Sequence, residues 1–467
     1  MNGIIAYGSY VPYNRLDRAA IGASLGSGGG RGQRAVASYD EDTTSMGVEA
    51  ARNALRSTDV ELRGLTFSTS LPGYLDKTNA TTIHAALALP RNTWAVDALG
   101  STRSATGALL NACAHDFASL AVMSDIRTGL PGSTEESAGG DAAAAFLCGS
   151  DAAGPVIAEL VAVGTATGEF LDRWRVPGDT QSKVWEERFG EQAYLDLVGQ
   201  AVPAALEMAG VTASDLDKVV LTGLQARAVR SSVRAVGLSP DTIVDDLSAS
   251  IGNSGAAHPG LLLASTLDAA EPGQTIAVII LADGCDVIIF RTTDAIADYS
   301  TGATVASQVE AGNAGLSYAN FLTWRGYLDR EPPRRPDPER PAAPPSFRSE
   351  GWKYGFVGSK DRESGAIHLP PKRVSMDGGA VDDMESIRMA DIPATIATFT
   401  IDYLAYSLSP PTVGAVIDFD GGGRFMCSMT DVDPDSVKIG DRVGMTFRRL
   451  YTADGVHNYF WKARPLG

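Results

Sequence analysis

Through the first 330 residues, short apolar runs alternate with longer Ala-rich stretches of helical period. The runs at 64–70, 156–161, 218–222 and 275–281 are rich in β-branched and large apolar residues, which predicts strands of a buried sheet. The stretches 45–57, 102–115, 192–209 and 258–267 repeat apolar residues at three- and four-residue spacing, which predicts helices. Strands and helices taking turns along a chain predict an α/β fold with helices covering a sheet. Late in each half a small-residue turn feeds a hydrophobic strand, at 139–149 and again at 279–290, and this shared rhythm points to an internal duplication.

The pattern breaks at 331–346. Prolines 332, 333, 336, 338, 341, 344 and 345 fall here among several arginines, which excludes helix and inner strand and predicts an extended, polyproline-like connector. Beyond it, 396–406, 413–419, 424–430, 442–448 and 457–463 are short alternating runs bounded by Gly, Pro and Asp. Five such runs predict a small barrel of the OB-fold type. The expected organisation is a first half over 1–165, a second half over 166–330, a linker over 331–346, a small unit over 347–380 and the barrel over 381–467.

Composition narrows the function classes. The chain has 467 residues, 44% of them hydrophobic and 20% charged, enough for two or three soluble domains. A net charge of −17 argues against nucleic acid, whose binding needs clustered Lys and Arg. Arg15, Asp17 and Arg18 interrupt any signal-like apolar run, and no stretch reaches the roughly 20 apolar residues of a membrane span. Cys113, Cys148, Cys285 and Cys427 lie far apart without CxxC spacing, so reduced thiols in a cytoplasm are expected.

Within the small unit, Asp361 and Ser364 are separated by two residues, as are Ser375 and Gly378, with ten residues between the pairs. Cysteine at those four positions would give a four-thiolate tetrahedral site; as it stands no soft ligand is left, and no zinc is expected.

Several segments carry a family resemblance. Val96-Asp97 leads into Ser101-Thr-Arg-Ser-Ala-Thr-Gly-Ala-Leu109, and Gly140-Asp-Ala-Ala-Ala-Ala145 and Ile251-Gly-Asn-Ser-Gly-Ala-Ala257 follow. Asp172-Arg-Trp-Arg-Val-Pro-Gly-Asp179 and Trp185-Glu-Glu-Arg-Phe-Gly190 add to the set. Together these make residues 1–330 resemble the hydroxymethylglutaryl-CoA synthase and ketoacyl synthase III branch of the thiolase superfamily. Residues 347–467 resemble an acyl-CoA-associated module, a rubredoxin-like zinc ribbon followed by an OB-fold. The resemblance implies a five-layered αβαβα core of two similar halves, a homodimer, a pantetheine tunnel for a CoA or acyl-carrier thioester, and a nucleophilic cysteine at the start of a buried helix. It also leaves room for a thiolase or other pathway enzyme as partner.

Aligned on Val96-Asp97, the resemblance puts Thr102 at the cysteine position with Ser101 beside it. An alcohol is far less acidic than a thiol, so a helix dipole alone does not ionise it and a neighbouring base would be needed. Both residues also favour helix N-caps. Ser70 stands at or near the family's acid/base glutamate, and Leu221-Thr-Gly-Leu-Gln225 carries no imidazole where its histidine falls. Asn253 is kept and could serve an oxyanion, or simply fill a turn. His258, five residues on, is the nearest imidazole, and Tyr74 and Asp76 could offer a phenol or a carboxylate. Three functions remain open: a thioester enzyme making or breaking a C–C bond without an acyl-cysteine, an acyltransferase with Ser101 or Thr102 as oxygen nucleophile, and a non-catalytic acyl-CoA-binding scaffold.

Overall fold

The computed structural model of the chain describes residues 1–466. Among these, nine strands build the body: β1 (Asn2–Tyr10), β2 (Gly64–Thr69), β3 (Trp94–Leu99), β4 (Ser119–Ile126), β5 (Asp141–Ser150), β6 (Ala158–Thr167), β7 (Lys218–Gly223), β8 (Thr275–Leu281) and β9 (Gly284–Thr292). They run in the order β7-β8-β9-β6-β1-β5-β4-β2-β3. The two blocks join into one sheet where β1 and β6 pair, at Gly3–Glu159 and Ile4–Ala158. Each block has the same plan. In the first, β1, β5 and β4 are antiparallel neighbours and β2 lies parallel to β4. In the second, β6, β9 and β8 are antiparallel and β7 lies parallel to β8. Strand β6 runs through residue 165, so the second repeat begins at Ala158 rather than after that position.

Five helices complete the layers: α1 (Thr43–Leu55), α2 (Ser104–Cys113), α3 (Glu187–Ala209), α4 (Ala226–Ala235) and α5 (His258–Leu267). Helix α1 starts on a capping box in which the Asp42 carboxylate accepts the Ser45 amide and the Ser45 hydroxyl accepts the Asp42 amide. It covers the outer face of the first block on β1, β4 and β5, while α3 covers β6 and β9 of the second. Between the blocks lie α2 and α5, packed with Ile276, Val278, Ile288 and Phe290 in one buried cluster. The middle layer is tight: a Cβ on Gly260 of α5 would come 2.8 Å from the Met123 sulfur and 3.0 Å from the Ala144 Cβ. Strand β8, Thr-Ile-Ala-Val-Ile-Ile-Leu, is buried on both faces, as its continuous apolar run requires in an inner sheet. The result is a five-layered αβαβα body.

The linker differs from the sequence expectation at its end. Helix is excluded there by proline content, yet Ala343–Arg348 is helical. Pro344 and Pro345 occupy the first helical positions, where an N–H has no intrahelical partner to lose. After it come β10 (Val357–Asp361), β11 (Ile367–His368) and β12 (Met384–Arg388), a three-stranded ribbon in the order β11-β10-β12. The third strand carries the ribbon past residue 380. A five-stranded barrel follows: β13 (Ala394–Asp402), β14 (Thr412–Phe419), β15 (Arg424–Ser428), β16 (Arg442–Ala453) and β17 (Val456–Pro465), in the order β15-β14-β13-β16-β17. A Met429–Ala463 bridge brings its ends together, giving the OB-fold.

Barrel and body share one hydrophobic cluster, in which Met46 and Ala50 of α1 join Met445, Phe447 and Trp461. A buried ionic network crosses the same interface. Arg448 pairs with Asp40 at 3.3 Å, Glu41 at 3.0 Å and Asp431, and Lys462 pairs with Asp40 at 2.7 Å. Arg52 of α1 donates to Glu49 at 2.8 Å and to the Met445 carbonyl at 2.8 Å, its guanidinium lying over the Trp461 ring.

Candidate active site

The carboxyl ends of β2, β3, β4 and β8 converge on a cleft of about 90 Å³ between the two halves. Open α/β sheets place their ligand crevices at such ends. Ser70, Ser101 and Thr102 all line it. Thr102 precedes α2 by two residues, and the helix start has no side-chain cap. The Ser101 hydroxyl accepts the Arg103 amide at 3.2 Å and so supports the turn into the helix. Arg103 leaves the cleft axis for a bidentate pair with Asp286, both contacts at 2.9 Å.

Ser70 is anchored from three sides. Its hydroxyl donates to Asp125, 2.9 and 2.8 Å from the two carboxylate oxygens. Arg127 approaches the same hydroxyl at 3.3 Å, and Arg175 donates to the Ser70 carbonyl. Asp125 near the end of β4 is fully buried; burial raises its carboxyl above the ordinary range, against the opposing pull of Arg127 at 3.8 Å. Glu135 receives a bidentate Arg173 at 2.5 and 2.7 Å, and despite burial Arg173 and Arg127 hold it below the usual carboxylate range. Asp172, also lining the cleft, is raised by burial. The cleft is therefore a mosaic of hydroxyls, guanidiniums and buried carboxylates.

No thiolate reaches it. Cys113 and Cys148 are buried together, burial pushing the Cys148 thiol well up, and Cys285 is pushed up to about 12 by burial. The loop after β7 contributes Leu224, which walls both this cleft and a neighbouring cavity of about 200 Å³.

Asn253 and His258 meet in that second cavity. The Asn253 amide donates to the Gly223 carbonyl at 3.1 Å and its oxygen accepts the Gly255 amide at 2.9 Å, so the side chain ties the end of β7 to the turn before α5 within the second half. His258 is buried, its Nδ1 accepting the Ser254 amide at 3.3 Å, and burial pulls the imidazole down to about 4. Tyr74 does not join the others. Its hydroxyl accepts the His457 amide at 2.8 Å and its ring packs on that imidazole, so the loop carrying it docks on the barrel. Asp76 is exposed in the same loop.

The unforeseen members are Asp125, Arg127, Arg173 and Arg175. The available signal was charge where the pattern reads apolar: Asp125 and Arg127 close the run Ser119-Leu-Ala-Val-Met-Ser-Asp-Ile-Arg127.

In the ribbon, the Ser364 hydroxyl donates to Asp361 at 2.7 Å, and the Ser375 hydroxyl lies 3.4 Å from the His368 ring. Hydrogen bonds from Ser364 and then Ser375 hold the Asp361 carboxyl down at about 2. Gly378, at φ +83°, has no donor atom to offer. One carboxylate and two hydroxyls already bonded to one another do not fit a structural zinc, which takes sulfur and nitrogen ligands. Among the described residues, no three His, Cys, Asp or Glu side chains converge as a metal group, and no helix is long and apolar enough to cross a membrane.

Two repeated sheet blocks around a shared helical layer, with the cleft at the start of its first helix, define a thiolase-fold protein. Comparison narrows this. A hydroxymethylglutaryl-CoA synthase of Archaeoglobus fulgidus is 29% identical over 343 residues, 70% of this chain and 98% of that protein. One from Methanopyrus kandleri is 26% identical over 348 residues, covering 70% and 97%. Among solved structures, a hydroxymethylglutaryl-CoA synthase complexed with CoA matches with a TM-score of 0.60 at 18% identity, covering 69% of this chain and 89% of that one. The 3-oxoacyl-(acyl carrier protein) synthase III FabH of Pseudomonas aeruginosa matches at 0.56 and 20%, covering 62% and 98%. The family model of the ChsH2 C-terminal OB-fold domain matches residues 388–448. The chain thus joins a body similar to hydroxymethylglutaryl-CoA synthases to an OB-fold of the ChsH2 type.

Proposed function

We propose that this protein acts on an acyl-CoA or acyl-carrier thioester and forms or cleaves a C–C bond without an acyl-cysteine intermediate. The observation that carries the reading is the cleft at the start of α2, where hydroxyls, guanidiniums and carboxylates converge and every cysteine lies elsewhere. Aldol- or Claisen-type chemistry needs an enolate held by donors and a group that moves one proton. In this reading the Ser101 and Thr102 hydroxyls and the Arg127 guanidinium, which line that cleft, take up the charge that develops on a thioester oxygen. The relatives, hydroxymethylglutaryl-CoA synthases among them, support a CoA thioester as substrate. We infer a cytoplasmic homodimer that pairs along β3, an edge strand bonded only to β2 with Val96 exposed on it.

The test is product analysis with β-hydroxyacyl-CoA substrates. Release of an aldehyde or ketone, with no acyl-enzyme mass shift on the intact chain, is the expected outcome. A stable mass gain that Thr102→Val abolishes would establish oxygen-nucleophile acyl transfer instead. Binding of the CoA ester without turnover would identify a scaffold.

A further inference from the structure

We propose that Asp125, acting through the Ser70 hydroxyl, takes and returns the proton that the reaction moves at the carbon next to the thioester carbonyl. The inference rests on the C–C bond reading above and assigns its acid–base group.

Ser70 is the point where a buried carboxylate communicates with the cleft. Its side chain lines the cleft, yet it is 7% exposed and Asp125 behind it is 0% exposed. Asp125 cannot reach a substrate itself. The serine proton points at the carboxylate, since both of its oxygens lie within 2.9 Å of the hydroxyl. Arg127 approaches one lone pair of the Ser70 oxygen at 3.3 Å, and the other is left for a proton arriving from the cleft.

In the step, the Cα–H bond of the acyl thioester breaks and its electron pair moves into a C=C bond, leaving negative charge on the thioester oxygen. The proton passes to the Ser70 oxygen while the Ser70 proton passes to Asp125. The carboxylate becomes a carboxylic acid and the substrate an enolate, and total charge is unchanged. Reversal returns the proton in the cleavage or condensation direction.

A purely structural role would tie β4 to the turn at Gly255–Ala257, because Asp125 also accepts the Ala256 amide at 3.0 Å. That contact uses Oδ2, one of the two oxygens the Ser70 hydroxyl also meets, and a tie between β4 and the turn does not by itself require a serine facing the cleft. The charged groups facing the pair are Arg127 from the end of β4 and Arg175 from the 172–175 loop, with Glu135 and Arg173 beyond Arg127. Burial outweighs these cations and raises the carboxyl, which brings its proton affinity closer to that of a working base near neutral pH.

The experiment uses the full chain in deuterated water with acetyl-, propionyl- and butyryl-CoA, reading α-hydrogen exchange by mass spectrometry and binding by calorimetry. Wild type should exchange, and the rate should rise with pH through one ionisation above the ordinary carboxylate range. Ser70→Ala and Asp125→Asn should each lower exchange by about 100-fold or more. Binding should stay within about threefold, and Ser70→Thr should restore exchange. The pH step should vanish in Ser70→Ala, which a structural role would not cause. Exchange by Ser70→Ala at the wild-type rate overturns the relay and leaves the reaction class standing. A wild type that exchanges none of the three thioesters overturns the C–C bond reading itself. Should Asp125→Asn not fold, Ser70→Ala and Ser70→Thr decide the matter alone.

Discussion

His258 shows how placement decides what a residue can do. In sequence it is an imidazole five residues from a motif asparagine. In the fold it is closed in at the head of α5, with burial pulling it down to about 4, so it is neutral at physiological pH and cannot act as a charged acid. An unfolded histidine takes a proton near pH 6.5, whereas the folded one resists until near 4. The unfolded state therefore binds more protons in that window, and stability falls as pH drops through it, by on the order of 3 kcal/mol in total. Denaturation midpoints from pH 7 to pH 4 should show this loss. His258→Asn, lower in stability at pH 7, should lack that component of the slope; an unchanged slope would refute the assignment.

At the scale of elements, local pattern and long-range placement separate cleanly. Helix α5 was legible to the residue, because Leu261–Leu263 and Leu267 repeat on its buried side and Pro259 marks its first turn. Strand β8 was equally plain from its unbroken apolar run. Helix α3 begins five residues earlier than its apolar period indicates, since Glu187, Arg188 and Phe189 at its start are exposed and add nothing to the buried stripe. The candidate site was half legible: Ser70, Ser101 and Thr102 reach one cleft, whereas Tyr74 turns outward because His457, 383 residues away in sequence, holds its hydroxyl. No local signal encodes such a partner. The ribbon follows the same logic, holding its knuckles with the Asp361–Ser364 bond and the Ser375 turn. Elemental analysis of the purified chain should find no stoichiometric zinc, and added zinc should leave the melting temperature unchanged. One zinc per chain would refute this.

At the scale of the molecule, the barrel is bound by charges that have left water. Arg448 is fully buried among Asp40, Glu41 and Asp431, and Lys462 reaches Asp40 beside it. Burial, with Asp431 and Asp40 close by, raises Glu41 above the usual range despite Arg448. Removing one partner from such a network strands the others, so Arg448→Ala should cost roughly 3–5 kcal/mol. By contrast Arg424, paired with Asp418 at 2.6 Å on the exposed barrel surface, should leave the melt nearly unchanged when replaced by Ala, because solvent screens that pair. Guanidinium melts of both variants check the contrast. A small effect at Arg448 would mean that the ionic network does not hold barrel to body and that the shared hydrophobic cluster does.

The connector from Leu328 to Arg340 is exposed along its whole length, while the surfaces on either side of it are welded by buried contacts. Continuity of the chain there is consequently a matter of supply rather than of architecture. A protease that nicks the connector yields two fragments in one particle, equivalent in kind to an assembly translated as separate subunits. What the fusion fixes is stoichiometry: each body leaves the ribosome with its own barrel, at one copy apiece, whatever the cell's expression levels.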